Sequence, residues 1–182
     1  MILIGSQAIK HHTEWRTPMD TDLVGSYDEC VKFQKVNKPK VCYPQNSGNS
    51  VFMKSSEGHI TECEIAWENS VAKKLVEFVE ADEGTVEKDG LLIPSLDVLY
   101  LLKMSHRYKK DSPWFLKTLR DIQALEKLGT KIRPEHEEFF KQREKDTYTN
   151  SLPKLNQSKE TFFDGDGIVY EWHHDSLHEA VK

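Results

Sequence analysis

Residues 1–24, MILIGSQAIKHHTEWRTPMDTDLV, contain the main signals for the architecture of the chain. Its first four residues are apolar and predict a short buried strand, and Gly5-Ser6 marks the turn from that strand into a helix. A second strand then begins at the triplet Asp20-Thr21-Asp22. Because alternate side chains of a strand point to the same face, Asp20 and Asp22 should lie side by side.

Two neighbouring carboxylates repel each other unless a cation neutralises them. A divalent ion is the simplest partner, and ligands that are all oxygen suit Mg²⁺ or Mn²⁺. The pair Asp20 and Asp22 therefore predicts a metal site. The alternative is a solvated turn after Pro18 that contains two aspartates by chance.

The Gly5-Ser6 pair predicts a phosphate site. A glycine where a strand turns into a helix lets a phosphate approach the backbone, and the start of a helix favours negative charge. Strand, Gly-Ser turn, helix and Asp-x-Asp strand, in this order, predict a site for a metal-bound nucleotide.

A third carboxylate is expected from a neighbouring strand. Alternation through the stretch His59 to Trp67 places Glu62 and Glu64 on one face and apolar side chains on the other. One interpretation is that Glu62 or Glu64 completes the metal site, and the pattern does not choose between them. The alternative is an exposed sheet face.

These motifs resemble the nucleotidyltransferase superfamily that includes DNA polymerase β, whose signature is a Gly-Ser at a helix start, Asp-x-Asp on the next strand and a later acid. The resemblance covers roughly residues 1–130 and is closest to small stand-alone bacterial and phage members, including toxins of abortive-infection systems. It implies an α/β (α+β) fold with a small mixed sheet and a helical C-terminal portion. The third acid of the family is usually aspartate, whereas this sequence offers glutamate.

The resemblance also implies an activity: transfer of a nucleoside monophosphate from a nucleoside triphosphate, such as ATP, to an acceptor, with Mg²⁺ or Mn²⁺. The acceptor would be a protein, a tRNA end or a small molecule. The implied catalytic and metal-binding residues are Asp20, Asp22 and Glu62 or Glu64, and the implied nucleotide-binding residues are Gly5 and Ser6. A second hypothesis is a catalytically degenerate nucleotide-binding or interaction module of phage or bacterial defence or counter-defence. A metal-dependent phosphohydrolase is a third, less favoured one.

A basic cluster falls on a helix predicted from Ser95 to about Tyr108. Lys103, His106 and Arg107 share a helix face through their i, i+3 and i+4 spacing. Lys103 and Arg107 are candidate phosphate ligands, because related nucleotidyltransferases often carry a basic residue on the helix after the sheet. The alternative is a solvated basic face.

The last residues contain a second cluster of ligand-type side chains. His174 and His178 are four residues apart and would face the same way on a helix, with Asp175 beside them. One interpretation is a transition-metal site. The favoured alternative is a polar terminal helix.

Composition limits the possible location and partners of the protein. The chain has 182 residues, three widely spaced cysteines and a net charge of −5. Cysteines without a Cys-x-x-Cys pattern fit a reducing, cytoplasmic location. The acidic balance predicts no strong bulk binding of nucleic acid, and no apolar stretch has the length of a membrane span. The predicted organisation is a core over 1–94, a helical portion over 95–146 and an appendage over 147–182, which is cut short if the chain is a fragment.

Overall fold

The computed structural model describes residues 1–44, 48–110 and 112–148. The chain forms two compact units, Met1–Leu99 and Tyr100–Lys182. The predicted α+β class is confirmed, with a seven-stranded mixed sheet in the first unit. Among the described residues, no helix combines the length and the apolar character that crossing a bilayer requires.

The first unit alternates short strands with helices. Its elements are β1 (Ile2–Ile4), α1 (Gly5–His12), β2 (Asp20–Gly25), α2 (Tyr27–Asn37), β3 (Val41–Pro44), β4 (Ser50–Lys54), β5 (Ile60–Ile65), α3 (Val71–Ala81), β6 (Val86–Lys88) and β7 (Leu91–Ile93). Helix α4 (Leu96–Met104) then contains the boundary between the two units.

The strands form one sheet in the order β3-β4-β5-β2-β1-β7-β6. Strand β2 lies at its centre, antiparallel to β1 and parallel to β5. Strands β4 and β5 form an antiparallel hairpin, which the turn residues Ser55 to Gly58 predict. Strands β3 and β6 are the two edges.

Helices α2 and α3 cover one face of the central strands. Leu3, Leu23 and Cys63 are register partners and are at most 2% exposed. Helix α2 packs on this face, where the thiol of its Cys30 lies within hydrogen-bond reach of Cys63. Helix α3 contacts β2 and β5 and buries Leu75 completely. By alternation, the carboxylates of β2 and β5 belong to the opposite face.

Local signals explain where α2 and α3 begin. Ser26 accepts a hydrogen bond from the backbone of Glu29, and the Glu29 carboxylate accepts one from the backbone of Ser26, which is a capping box. Ser70 caps α3 through the backbone N–H of Lys73.

The described part of the second unit, up to residue 148, is helical. After the end of α4 it contains α5 (Phe115–Lys127), a short 3₁₀ turn (Pro134–His136) and α6 (Glu137–Tyr148). Its buried apolar side chains include Phe115, Leu119, Ile122 and Leu125, which have the helical spacing that the sequence predicts for α5.

The structure corrects three details of the sequence-based prediction. The helix capped by Ser95 ends at Met104 rather than near Tyr108, and turns follow it. Strand β3 lies in a stretch where Pro39 and the residues from Pro44 to Asn49 predict a loop, and β6 lies in the stretch Glu80 to Gly90, whose acidic composition predicts a turn. Both are edge strands with a single pairing partner, so tertiary pairing rather than local propensity forms them.

Candidate functional site

The strand register brings two of the predicted carboxylates together. Asp22 of β2 is the register partner of Glu62 on β5, so their side chains are neighbours on one face. Asp20 pairs with Ile60, one step toward the start of both strands. Glu64 pairs with Val24 and Ser50, one step in the other direction. Register therefore favours Glu62 over Glu64 as the companion of Asp22.

This sheet face opens to solvent toward the start of β2 and β5. Val24 is fully buried, the carboxylates are half-buried, and Ile60 is 41% exposed. Adjacent strands lie about 4.8 Å apart, so Asp22 and Glu62 hold two like charges close together. A half-exposed pair of this kind is accessible to a cation from solvent.

Gly5 packs directly against Asp22. It is the first residue of α1 and has a φ of +69°, a conformation that favours glycine. A Cβ at this position would lie 2.2 Å from the Asp22 Oδ2 atom, which is far inside van der Waals contact. Any side chain at residue 5 would therefore displace the carboxylate. The Gly5-Ser6 turn and the Asp-x-Asp strand are therefore in direct contact.

The start of α1 differs from those of α2 and α3. Its N-cap residue, Ile4, makes no side-chain cap hydrogen bond, whereas serines cap α2 and α3. The backbone N–H groups of a first turn have no partner within their helix, and the helix dipole makes this end positive. The geometry suits an anion at Gly5 and Ser6.

Sequence reasoning missed Arg16, which lies in the irregular segment between α1 and β2. Its Nη2 atom donates a hydrogen bond of 2.6 Å to the Oγ atom of Ser6, which is only 4% exposed. Arg16 itself is exposed, so a guanidinium stands at the solvent side of the Gly5-Ser6 turn. The available signal was an arginine four residues before the Asp-x-Asp triplet, but no periodicity marked it.

The residues fit a cation that is shared with a phosphate ligand better than a cation held by protein alone. Within the described part of the chain, no group of three or more His, Cys, Asp or Glu side chains converges as a metal site. Mg²⁺, however, is usually bound through one or two carboxylates together with substrate phosphates. Asp22 and Glu62, beside the start of α1 that has no side-chain cap, match the carboxylate part of that donor set.

Lys103 and Arg107 belong to the second unit, where each has an acidic partner. The Lys103 Nζ atom lies 3.0 Å from Asp121 Oδ2, and the Arg107 guanidinium contacts the carboxylate of Glu144. Arg107 is 7% exposed and stacks over the ring of Tyr108. The alternative of a solvated basic face therefore does not describe Arg107.

His106, next to Arg107, is held as a neutral ring. Burial, which Arg143, Lys109 and Lys103 reinforce electrostatically, lowers the pKa of His106 to about 4, although the Leu102 carbonyl opposes the shift. The Nδ1 atom lies 3.0 Å from that carbonyl oxygen, so Nδ1 carries the proton of the neutral ring and donates it. His174, His178 and Asp175 lie outside the described residues.

The comparisons with known proteins give families rather than activities. No curated protein matches the chain. A family model described as "Domain of unknown function (DUF7275)" matches residues 98–182, and one described as "Domain of unknown function (DUF7277)" matches residues 1–112. The second match includes every element of the carboxylate site and covers more than half of the sequence, so the chain belongs to the family DUF7277.

Proposed function

We propose that the protein is a metal-dependent nucleotidyltransferase, which transfers a nucleoside monophosphate from a nucleoside triphosphate to an acceptor. One observation carries the proposal: Gly5, at the start of α1, packs against the carboxylate of Asp22, and Asp22 pairs in register with Glu62. This contact supports a phosphate site and a divalent-ion site that would be adjacent.

Gly5, Ser6 and Arg16 would bind the phosphates. The N–H groups of the first turn of α1 point along the helix axis toward an anion, and Arg16 adds a cation beside Ser6. Holding the β- and γ-phosphates here stabilises pyrophosphate as the leaving group.

Asp22 and Glu62 would hold Mg²⁺ or Mn²⁺, with Asp20 one register step away. The ion, when bound, supplies charge neutralisation at the transferred phosphoryl group and lowers the pKa of the attacking hydroxyl. In the reaction the acceptor oxygen bonds to the α-phosphorus, the bond to the bridging oxygen of pyrophosphate breaks, and the hydroxyl proton leaves to solvent. The protein's own part is positioning.

A degenerate nucleotide-binding module is the second candidate. Among the described residues the carboxylates do not converge as a group of three, and the expected third aspartate is a glutamate on β5. Such a module would bind a nucleotide through Gly5, Ser6 and Arg16 without transferring it.

Thermal melting with ATP, GTP, CTP or UTP, each with and without Mn²⁺, tests the site. We expect stabilisation that needs both the triphosphate and the metal, because ligand binding to the folded state raises the melting temperature. The variant Asp20→Asn/Asp22→Asn should lose this shift, and without metal it should be as stable as the wild type or slightly more stable, because the like charges are gone.

Glu77→Gln/Glu80→Gln is the matched control, since it removes two exposed carboxylates from α3 in the same unit. It should keep the full shift. Titration calorimetry that shows unchanged affinity for Mn²⁺ and nucleotide in the Asp20/Asp22 variant would refute the proposed site. Binding without pyrophosphate release, with any acceptor supplied, would favour the degenerate module.

A further inference from the structure

The positive charge of the first unit is concentrated in one segment. Residues 30–56 contain five lysines and neither aspartate nor glutamate, in a chain whose net charge is −5. All five lysines are exposed, and none forms an ion pair with another described residue. They are Lys32, Lys35, Lys38, Lys40 and Lys54.

Three of these lysines lie close to the β3 edge of the sheet. Lys38 ends α2 in a left-handed conformation, which turns the chain toward β3. The backbone N–H of Lys40 then donates to the carbonyl of Lys54, at 2.8 Å, so the two residues are neighbours across β3 and β4. Lys38 and Lys40 thus precede the edge strand β3, and Lys54 lies at the end of its partner strand β4.

Exposed aromatic surface accompanies this charge. The rings of Tyr43 on β3 and Phe52 on β4 are stacked, with centroids 5.5 Å apart and planes 18° apart. Tyr43 is 49% exposed. It lies on the edge strand β3, which pairs with β4 alone among the described strands. Val41 and Ile60 on the same face are 45% and 41% exposed. Such a cluster is available to a planar ligand.

The aromatic pair lies in the same register row as the carboxylates. Tyr43 pairs with Phe52, Phe52 with Glu62, and Glu62 with Asp22. With a strand spacing of about 4.8 Å, the aromatic rings stand roughly 10 to 15 Å from Asp22 across one continuous face. Gly5 lies on the other side of Asp22, because Ile4 of β1 is the next partner in the row.

We propose that the surface formed by Lys38, Lys40, Tyr43, Phe52 and Lys54 binds single-stranded nucleic acid. Bases stack on Tyr43 and Phe52, and backbone phosphates bind the three lysines. Aromatic platforms beside a cationic track are the usual means of binding single strands without sequence preference. The acidic balance of the whole chain argues against bulk attraction, but it does not describe this local surface.

The orientation of a strand bound to this surface can also be inferred, and this step rests on the proposed nucleotidyltransfer. In-line transfer requires the acceptor oxygen and the leaving pyrophosphate on opposite sides of the α-phosphorus. If pyrophosphate leaves at Gly5 and Ser6, the acceptor approaches from the side of Glu62 and Phe52. The nucleic-acid surface lies on that side, so a strand bound there would place its terminal hydroxyl toward Asp22 and Glu62.

Fluorescence anisotropy with a labelled single-stranded RNA of about 12 nucleotides, and with the matching DNA, tests the surface. We expect binding by the wild-type chain at low salt. Tyr43→Ser should weaken it about tenfold by removing one stacking surface. Lys38→Glu/Lys40→Glu/Lys54→Glu should abolish it, and single Lys→Gln changes should each lower the slope of log affinity against log salt by about 0.7.

The control variant Lys88→Glu/Lys127→Glu/Lys141→Glu makes the same charge change at three exposed lysines elsewhere. Equal loss in this control, or unchanged binding in the Lys38/Lys40/Lys54 variant, would overturn the proposal. So would sedimentation showing a wild-type dimer that Tyr43→Ser dissociates, with no RNA or DNA bound, because the surface would then join two copies.

The proposed nucleotidyltransfer and the proposed nucleic-acid surface can be refuted independently of each other. Asp22→Asn should leave oligonucleotide binding unchanged, and Tyr43→Ser should leave the metal-dependent nucleotide shift unchanged. Oligonucleotide binding without any nucleotide shift would remove the proposed activity and support the surface. The reverse result would remove the surface alone.

Discussion

The two units arrange their charged side chains in opposite ways. In the first unit, Asp22 and Glu62 place like charges side by side on a half-exposed sheet face. In the second, Lys103 pairs with Asp121 and Arg107 with Glu144, so that each charge meets its opposite. A bound cation would stabilise the first arrangement, whereas in the second each charge is paired with an opposite one. Neighbouring like charges on a sheet thus indicate a ligand, and buried opposite pairs indicate structure.

The largest effect on stability is expected at the Lys103–Asp121 pair, whose side chains are 20% and 5% exposed. Asp121→Asn should lower the free energy of unfolding by about 3 kcal/mol, because it leaves Lys103 poorly solvated and without its counter-charge. Urea unfolding measures the loss. The double variant Lys103→Met/Asp121→Leu should recover most of it, since an apolar pair of similar size is often neutral. A single variant as stable as the wild type would show that this pair contributes no stability.

The second test is whether the second unit tolerates an additional, unpaired cation. Burial lowers the pKa of His106 from its usual value of 6.5 to about 4, so the unfolded chain binds the proton first as the pH falls. The stabilisation is complete above pH 6.5 and is lost toward pH 4, with a total of about 3 kcal/mol. Urea unfolding from pH 7 to 4 measures it. His106→Gln should flatten this dependence, whereas His59→Gln, at an exposed histidine of the first unit, should leave it intact.

The third and smallest test separates backbone strain from the contact at the carboxylate. Gly5 and Gly90 both have positive φ, but an added Cβ meets Asp22 at Gly5 and no atom within 4 Å at Gly90. Gly90→Ala should cost about 1 kcal/mol through strain alone, and Gly5→Ala about 2 kcal/mol. Thermal melting compares them. Only Gly5→Ala should also lose the metal-dependent nucleotide shift, and equal behaviour of the two variants would show that the contact with Asp22 is unimportant.

Period-2 alternation was sufficient to predict the central part of the site. The pattern at Asp20 and Asp22 predicts β2, and the pattern at Glu62 and Glu64 predicts β5, with each pair on one face. Alternation alone could not choose between Glu62 and Glu64, because that choice depends on how β5 is aligned with β2. Register is a property of two strands together.

Non-local partners explain what the sequence did not reveal. The basic residues Lys103 and Arg107 could be read as ligands or as a solvated face, because their acidic partners lie on α5 and α6, far along the chain. Arg16 lies in a segment without periodicity, and its bond to Ser6 depends on the path of the loop. Strand β3 follows Pro39, a local signal for a loop, and becomes a strand because β4 pairs with it.

The pairing of β2 with β5 also makes the site depend on which residues of each strand face the same side of the sheet. Inserting one residue between Ile60 and Thr61 would place Thr61 opposite Asp22 and turn both glutamates toward the core, whereas inserting two would keep the same face. Loops at 13–19 and 55–58 lie outside the paired strands and can lengthen without this consequence. Other members of DUF7277 that share the site should therefore vary in loop length while keeping the spacing within β2 and β5.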